Sequence, residues 1–174
     1  ALYCARGGQR SQIACDWLQE VGHTIPRIDG GYKALRSYLL TELENVPNGF
    51  TLSGWTGVGK TETIEGLSCA VDLEGLANHR GSAFGGMLHP QPAQRSFENA
   101  VAIEFMKFRE RDETHLVMED ESRLIGRIHL GTPIIKALRT APIILQEAPL
   151  EERIQRIHQD YILSNWRDFQ NCEP

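Results

Sequence analysis

A glycine-rich stretch at residues 54–61, with the spacing Gly-x4-Gly-Lys-Thr, constrains this chain more than any other feature. The run at 50–53 predicts a strand before it, and the pattern after it predicts a helix. Glycines allow successive backbone N–H groups to converge on an anion, and the helix dipole adds positive charge there. We therefore predict a phosphate site, with Lys60 on outer phosphate oxygens and the Thr61 hydroxyl on Mg²⁺. The predicted phosphate-binding residues of this stretch are Gly54, Gly57, Gly59, Lys60 and Thr61.

Strand-like and helix-like patterns alternate along the chain after this stretch. Short apolar runs predict strands, and apolar residues at helical spacing predict helices. The predicted elements cover residues 71–73, 96–108, 116–118, 134–138, 143–145 and 150–162. Such alternation implies a mostly parallel, buried sheet covered by helices. The prediction is a three-layer α/β domain over residues 50–174.

An acidic run follows the predicted strand at 116–118. A carboxylate at the end of a strand next to a phosphate-binding loop can hold Mg²⁺ through water. We predict Glu119 and Asp120 as magnesium ligands together with Thr61, although the spacing alone does not separate them from Glu121. A solvated acidic turn is the alternative interpretation of the same run.

Composition excludes several classes of protein. The 174 residues carry 18 Lys and Arg against 23 Asp and Glu, a net charge of −5, so any nucleic-acid contact must be a local basic patch. The apolar run at 142–145 is far shorter than the roughly 20 residues of a membrane span. Four scattered cysteines without a Cys-x-x-Cys pair predict reduced thiols in a cytosolic protein. The chain begins without Met, and we expect it to be an internal fragment of a longer protein.

Cys4 is the second candidate for chemistry. It ends a short predicted strand, and the loop after it returns to the start of a helix at residues 10–11. Such a loop can place backbone N–H groups and arginine charge around a thiolate and lower its pKa. A buried, inert cysteine fits the local sequence equally well.

A long loop at 72–85 places Arg80 among small residues. Loops of this length are often functional, and Arg80 is a candidate anion clamp. An ordinary surface ion pair explains the residue equally well. Arg153 and Arg156, on the predicted helix at 150–162, could also reach phosphates, but solvated helix charges are the simpler interpretation.

Two groups of motifs carry a family resemblance. Residues 3–11 resemble the active-site loop of a rhodanese domain, and residues 28–36 resemble its end. Joined to the phosphate-binding loop and to the segments 71–82 and 119–126, they resemble the tRNA 2-selenouridine synthase family. The resemblance implies the C-terminal half of a rhodanese domain at 1–44, a linker at 45–49, and a P-loop NTPase-like domain with a mostly parallel sheet at 50–174.

The same resemblance implies a function. The family replaces the sulfur of 2-thiouridine at the tRNA wobble position with selenium from selenophosphate, through an S-geranylated intermediate made from geranyl diphosphate. Cys4 would then be catalytic and hold selenium as a selenylsulfide. Its supporting residues would be Arg6, Gly7, Gly8 and Arg10.

The implied ligands and partners follow from that function. Selenophosphate and geranyl diphosphate are co-substrates, Mg²⁺ is a further ligand, and no tightly bound cofactor is expected. The partners are tRNA bearing 2-thiouridine and an enzyme that supplies selenophosphate, in the cytoplasm and without a membrane. Two alternatives stay open: a nucleotide-dependent small-molecule kinase, and a nucleotide-regulated RNA-binding module in which Cys4 has no role.

Overall fold

The computed structural model describes residues 1–81 and 85–163. Residues 82–84 and 164–174 lie outside the described part, and Cys172 is among them. The chain divides into two compact units, Ala1–Glu42 and Leu43–Pro174. Each unit is described by itself.

The first unit contains two helices and one isolated pair of extended residues. Helix α1 spans Gln9–Glu20 and helix α2 spans Gly31–Glu44. Leu2 pairs in parallel with Arg27, which agrees with the short strand predicted before Cys4. Gly22 follows α1 with a φ of +86°, the left-handed conformation expected of a residue that closes a helix.

Apolar residues lie at helical spacing along α1, but they are not buried. Ile13, Trp17 and Val21 are 45%, 66% and 70% exposed. Ser11 is instead the buried residue of this helix. Within the described part of the first unit, α1 therefore does not contribute its apolar face to a core.

The second unit is built on a four-stranded parallel sheet with the order β2-β3-β1-β6. Its strands are β1 Gly49–Ser53, β2 Ala70–Val71, β3 Leu116–Glu119 and β6 Ile143–Leu145. A separate antiparallel hairpin consists of β4 Leu124–Ile125 and β5 Ile128–His129. The predicted α/β class with a mostly parallel sheet is confirmed, and it fits a P-loop-like domain.

Five α-helices accompany these strands, of which four lie between strands along the chain and the fifth follows β6. They are α3 Lys60–Glu65, α4 Leu73–Ala77, α5 Gln94–Arg109, α6 Thr132–Thr140 and α7 Leu150–Ile157. A π-helical turn, His158–Leu163, continues α7 and completes the predicted helix at 150–162. No helix in residues 1–81 or 85–163 is both long and apolar enough to cross a membrane.

The order of the strands places the ends of β1 and β3 at a crevice. From β1 the chain proceeds to β2 on one side of the sheet, and from β3 it proceeds to β6 on the other side. Adjacent strands whose connections leave in opposite directions form a topological switch point, where open α/β sheets bind their ligands. The phosphate-binding loop follows β1 and the acidic run follows β3, so both predicted site segments lie at this crevice.

The predicted strand at 71–73 is wrong at residues 72–73, and the predicted loop at 72–85 contains helix α4. Asp72 and Leu73 were expected in a strand, but Asp72 caps α4, where its Oδ1 accepts a hydrogen bond from the Gly75 N–H at 2.7 Å. Aspartate is favoured at this position because its side chain satisfies a free N–H group of the first turn. The β4–β5 hairpin was not predicted, although Gly126 has a φ of +58° in its turn.

The core of the second unit is dominated by α5. The predicted apolar face of this helix is confirmed, because Phe97, Val101, Phe105 and Phe108 are all buried. They pack in one cluster with residues from β3, from the hairpin and from α4 and α6. This cluster holds the scaffold that positions the ends of β1 and β3.

Replacing Phe105 by alanine is expected to destabilise the second unit by about 3–5 kcal/mol, because the truncation leaves a cavity in the core. Phe105 is 0% exposed, whereas Ile103 on the same helix is 41% exposed. Ile103→Ala serves as the matched control and should cost about 1 kcal/mol or less. Urea unfolding followed by far-UV circular dichroism measures both values. Equal losses for the two variants would contradict the assignment of α5 to the core.

Candidate phosphate and thiol sites

The phosphate-binding loop is a tight turn between β1 and α3. Gly57 and Gly59 have φ angles of +80° and +95°. A Cβ atom on Gly57 would lie 2.6 Å from the Arg153 carbonyl oxygen, and one on Gly54 would lie 2.5 Å from that of Gln146. Glycine is therefore required at these positions, because of the positive φ angles and because a side chain would collide with neighbouring backbone atoms. The predicted order of strand, loop and helix is present.

A single side chain, Gln146, ties the loop to the end of β6. Its amide N–H₂ donates to the Val58 carbonyl at 3.0 Å, and its amide oxygen accepts from the Thr63 hydroxyl at 3.1 Å. Its backbone N–H donates to the Ser53 carbonyl at 2.8 Å. Gln146 thus fixes the loop and the first turns of α3 relative to the sheet.

A cavity of about 310 Å³ opens at the loop, and we call it the loop cavity. Its walls come from the loop and α3, from the acidic run, and from α7 with the π-helical turn. Lining side chains that bear on its chemistry are Lys60, Thr61, Glu74, Asp120, Glu121 and Arg156. Lys60 Nζ donates to the Gly54 carbonyl at 2.9 Å, which folds the side chain back over the loop.

Glu119 and Asp120 occupy different environments. Glu119 is 1% exposed, and its Oε2 accepts from the Leu73 N–H at 3.0 Å. Its Oε1 has no hydrogen-bond partner among the described residues. Burial, followed by the nearby Asp72 carboxyl, raises the pKa of Glu119 to about 9, so this group is neutral at pH 7. Asp120 is exposed, and its Oδ2 accepts from the Ser53 hydroxyl at 2.7 Å.

The third acidic residue of the run belongs to a carboxyl pair. Burial raises the pKa of Glu121 to about 8, and the hydrogen bond and repulsion from Glu74 act in the same direction. Both side chains approach Gly81, where an added Cβ would lie 2.5 Å from Glu121 Oε1 and 2.6 Å from Glu74 Oε1. The pair therefore forms part of the cavity wall.

Magnesium fits only part of the predicted ligand set. Within the described residues, no group of three or more His, Cys, Asp or Glu side chains is arranged to hold a metal ion. Mg²⁺ at phosphate sites commonly uses one or two protein oxygens, with waters and substrate phosphates for the rest. Thr61 and the exposed Asp120 suit that role, whereas Glu119 is buried and its Oε2 already accepts from the Leu73 N–H.

In the first unit, the loop after Cys4 folds around the thiol. The Ser11 hydroxyl lies 3.4 Å from Cys4 Sγ and 3.0 Å from the Gly8 carbonyl oxygen. Hydrogen bonds from the Ser11 side chain and from the backbone of Arg6, Ser11 and Gly8 outweigh desolvation and lower the pKa of Cys4 from 9.0 to about 6. The thiolate therefore predominates at pH 7.

The glycines of this loop let two chain segments approach closely. Gly7 has a φ of +65°, and a Cβ there would lie 2.5 Å from the Gly30 backbone nitrogen. The Tyr32 N–H donates to the Cys4 carbonyl at 2.9 Å, and Arg27 donates to the Gly7 carbonyl at 2.9 Å. The start of α2 thus holds the Cys4 loop in place.

Replacing Ser11 by alanine is expected to raise the pKa of Cys4 from about 6 toward 9.0, because the largest contribution to the lowered value is removed. At neutral pH, alkylation of Cys4 by iodoacetamide should slow, and its pH midpoint should move upward. Mass spectrometry of the Cys4 peptide across a pH series measures this midpoint. The exposed Ser37 on α2 provides the control, and Ser37→Ala should leave the midpoint near pH 6. An unchanged midpoint in Ser11→Ala would contradict the contact.

Comparison with known proteins agrees with this arrangement. A family model described as the tRNA 2-selenouridine synthase AAA domain matches residues 48–173. The chain belongs to this family. The match contains the phosphate-binding loop, the acidic run and α7.

Curated relatives extend the similarity to the first unit. Proteins named tRNA 2-selenouridine synthase from Shewanella frigidimarina and Aeromonas salmonicida are each 46% identical over 97% of this chain. One from a Sulfurovum species is 47% identical over 92% of the chain. The matched segments are 47%, 46% and 45% of those proteins, so the chain spans about half the length of the curated relatives it matches. No solved structure matches the chain.

The structure brings together only some of the residues predicted from sequence. In this family member, Gly54, Gly57, Gly59, Lys60 and Thr61 form one loop, next to the acidic run. Arg80 donates instead to the Asp160 carbonyl, and its guanidinium lies 5.5 Å from the centre of the Tyr161 ring. Arg80 therefore supports the π-helical turn that forms one wall of the loop cavity.

The Cys4 loop contains the other predicted residues. Arg6 and Gly8 provide backbone hydrogen bonds to the sulfur, and Gly7 provides the turn. Arg10 lies in the first turn of α1 and is exposed. Ser11 was not among the predicted residues, although it has the closest side-chain contact with the sulfur. A small polar residue at the start of a helix was the available signal.

Arg153 and Arg156 were judged to be solvated, but both contact the loop. Arg153 Nε donates to the Thr56 carbonyl at 3.1 Å and Arg156 Nη1 donates to the Gly57 carbonyl at 3.4 Å. That interpretation is wrong for these two residues, because α7 packs its arginines against the loop. Gln146 was also missed, and its only sequence signal was a polar residue directly after an apolar strand.

Proposed function

We propose that this chain is the chemical core of an enzyme that replaces the sulfur of 2-thiouridine in tRNA with selenium. Membership of a family whose curated relatives are named tRNA 2-selenouridine synthase carries this proposal. The thiolate at Cys4 and the phosphate-binding loop support it, since the reaction needs chalcogen chemistry and phosphorylated co-substrates. We place the protein in the cytoplasm and assign residues 1–44 to the C-terminal part of a rhodanese domain.

The proposed reaction has two displacement steps. The 2-thiocarbonyl sulfur first attacks the geranyl carbon of geranyl diphosphate, so a C–S bond forms and diphosphate leaves with the electron pair. The selenium of selenophosphate then attacks C2 of the uracil ring, and the geranyl thiolate leaves. Water finally cleaves the Se–P bond and releases phosphate. Neither displacement changes the oxidation state of selenium.

Each site has a role in this scheme. The amides of the phosphate-binding loop and Lys60 bind the phosphate or diphosphate group, and Thr61 with Asp120 would hold Mg²⁺, which would offset phosphate charge. In the route through Cys4, its thiolate sulfur bonds to the selenium of selenophosphate, an acceptor disulfide takes up two electrons, and water removes the phosphoryl group as phosphate. The resulting selenylsulfide is stabilised by the positive charge of Arg6 and Arg10. A thiol then reduces it, and the hydrogen selenide that is released makes the attack on C2, so cleavage of the Se–P bond precedes the attack in this route.

A chimeric enzyme tests the proposal, because the chain spans about half of each relative. The chain replaces the matched 171-residue segment of the Shewanella frigidimarina protein. The chimera is incubated with thiolated tRNA, geranyl diphosphate and selenophosphate, and the nucleosides are analysed by mass spectrometry. Formation of 2-selenouridine is expected. A folded chimera that binds thiolated tRNA but forms no 2-selenouridine, while the intact relative does, overturns the proposal.

A small-molecule kinase is the second candidate, favoured by the contacts of Arg153 and Arg156 with the loop. Arginines of this kind can stabilise a transferring phosphoryl group. A kinase would turn over ATP with an acceptor and would tolerate Cys4→Ser. An RNA-binding module, in contrast, would bind RNA with strong salt dependence and turn over neither substrate.

A further inference from the structure

The loop cavity is lined by a second cation, Arg156, in addition to the loop's own Lys60. Arg156 lies in the last turn of α7, and its side chain is 31% exposed. Its Nη1 lies 3.4 Å from the Gly57 carbonyl oxygen, and its Nε lies 3.6 Å from Glu62 Oε2. Its Nη2 lies 3.5 Å from Glu152 Oε2. All three distances are long for hydrogen bonds, so these contacts are readily exchanged for a better acceptor.

The charges around the cavity make this cation important. Among the described lining residues, Lys60 and Arg156 carry the positive charge. The cavity is also lined by the Tyr161 hydroxyl and by six carboxyl groups. These belong to Glu62, Glu74, Glu119, Asp120, Glu121 and Asp160. A single phosphate can be satisfied by the loop amides and Lys60. A second phosphoryl group would lie among these carboxyl groups, and Arg156 is the lining cation that remains to bind it.

Arginine suits this position better than a point charge. Its planar guanidinium presents five N–H donors and binds phosphate oxygens in a two-pronged geometry. The contacts of Arg156 with Gly57, Glu62 and Glu152 are all long, so its N–H groups can exchange them for phosphate oxygens. Arg153, one turn earlier, differs because it donates to Thr56 at 3.1 Å and lies 5.9 Å from the centre of the Trp55 ring. It supports the loop from outside the cavity.

We propose that Arg156 is a second cationic clamp of the phosphate site, and that it makes the site selective for ligands with two adjacent phosphoryl groups over a single phosphate. This inference rests on the phosphate-binding role proposed for the loop. The ligand class is a diphosphate ester or a nucleoside polyphosphate. The two sources share the chemistry that Arg156 recognises.

Calorimetric titration of the chain with inorganic pyrophosphate and with orthophosphate, at fixed Mg²⁺, tests the proposal. The unchanged chain is expected to bind pyrophosphate at least about tenfold more tightly, a difference of about 1.4 kcal/mol. Arg156→Gln should remove most of this preference while changing orthophosphate affinity less than about twofold, and Arg156→Lys should restore part of it. Arg153→Gln is the matched contrast and should weaken both ligands equally. Circular dichroism confirms that each variant is folded.

The outcomes separate the inference from the function on which it rests. If Arg156→Gln keeps the pyrophosphate preference, Arg156 is not the clamp, and the phosphate site still stands. If the unchanged chain binds neither anion, or if Lys60→Ala binds both as well as the unchanged chain does, the phosphate-binding role itself is wrong. If the pyrophosphate preference depends on Arg156, titration with geranyl diphosphate and with ATP shows which of the two classes of ligand binds.

Discussion

Cys4→Ser is expected to abolish formation of 2-selenouridine by the chimeric enzyme, with a loss on the order of a thousandfold or more. The thiolate is the reacting form of cysteine, and a serine hydroxyl stays protonated at neutral pH. The surrounding contacts are compatible with serine, so the loop should remain folded. Nucleoside analysis by mass spectrometry measures the product, and a gel-shift assay shows whether thiolated tRNA is still bound.

Cys15 provides the control for this experiment. It lies on α1 and is a free, partly buried thiol, and its sulfur lies 3.8 Å from the Ile25 carbonyl oxygen. This sulfur contacts a backbone carbonyl rather than the Ser11 hydroxyl that lies beside Cys4. Cys15→Ser should keep activity within about twofold of the unchanged enzyme. Retention of more than a tenth of the activity in Cys4→Ser would show that this thiol does not take part in the transfer.

The parts of the site that sequence predicted are local in the chain. The phosphate-binding loop is specified by a few consecutive residues, because the φ angles at Gly57 and Gly59 are accessible to glycine. The face of α5 was also predicted, since its periodicity reports which side is apolar. In both cases the predicted feature is determined by residues that are close together in the chain.

Contacts across long stretches of chain were not predictable. Gln146 reaches Val58 over 88 residues, and Arg156 reaches Gly57 over 99 residues. These contacts depend on β6 lying next to β1 and on the direction in which α7 leaves the sheet. A solvated helix arginine and a loop-contacting arginine have the same local sequence, so only the tertiary structure separates them.

The acidic run and α1 illustrate two further limits. Glu119 pairs with Leu52 in the β1–β3 register and points into the protein, whereas Asp120 follows the strand and is exposed. Successive side chains of a strand point to opposite faces, which explains this difference. Three consecutive acidic residues do not indicate which of them points inward. For α1, apolar residues lie at helical spacing, but burial depends on which element packs against it.

Gly57→Ala is expected to lower pyrophosphate affinity by about a hundredfold, because the amides of the loop would no longer converge on the anion. Alanine in the left-handed region costs roughly 1–2 kcal/mol. The added Cβ would also lie 2.6 Å from the Arg153 carbonyl oxygen, so the loop or α7 must move. Calorimetric titration measures the affinity, and urea unfolding shows whether the unit remains stable.

Gly66, directly after α3, provides a matched glycine for this test. Its φ is −80°, and the nearest atom to an added Cβ is the Glu62 carbonyl oxygen at 3.4 Å. Alanine fits there without strain, so Gly66→Ala should bind pyrophosphate within about twofold of the unchanged chain and be at least as stable. If Gly57→Ala bound pyrophosphate as well as Gly66→Ala does, the anion would not be held by the backbone of this loop. The loss of pyrophosphate affinity is therefore expected for Gly57→Ala and not for Gly66→Ala, because the positive φ of the loop requires glycine at position 57.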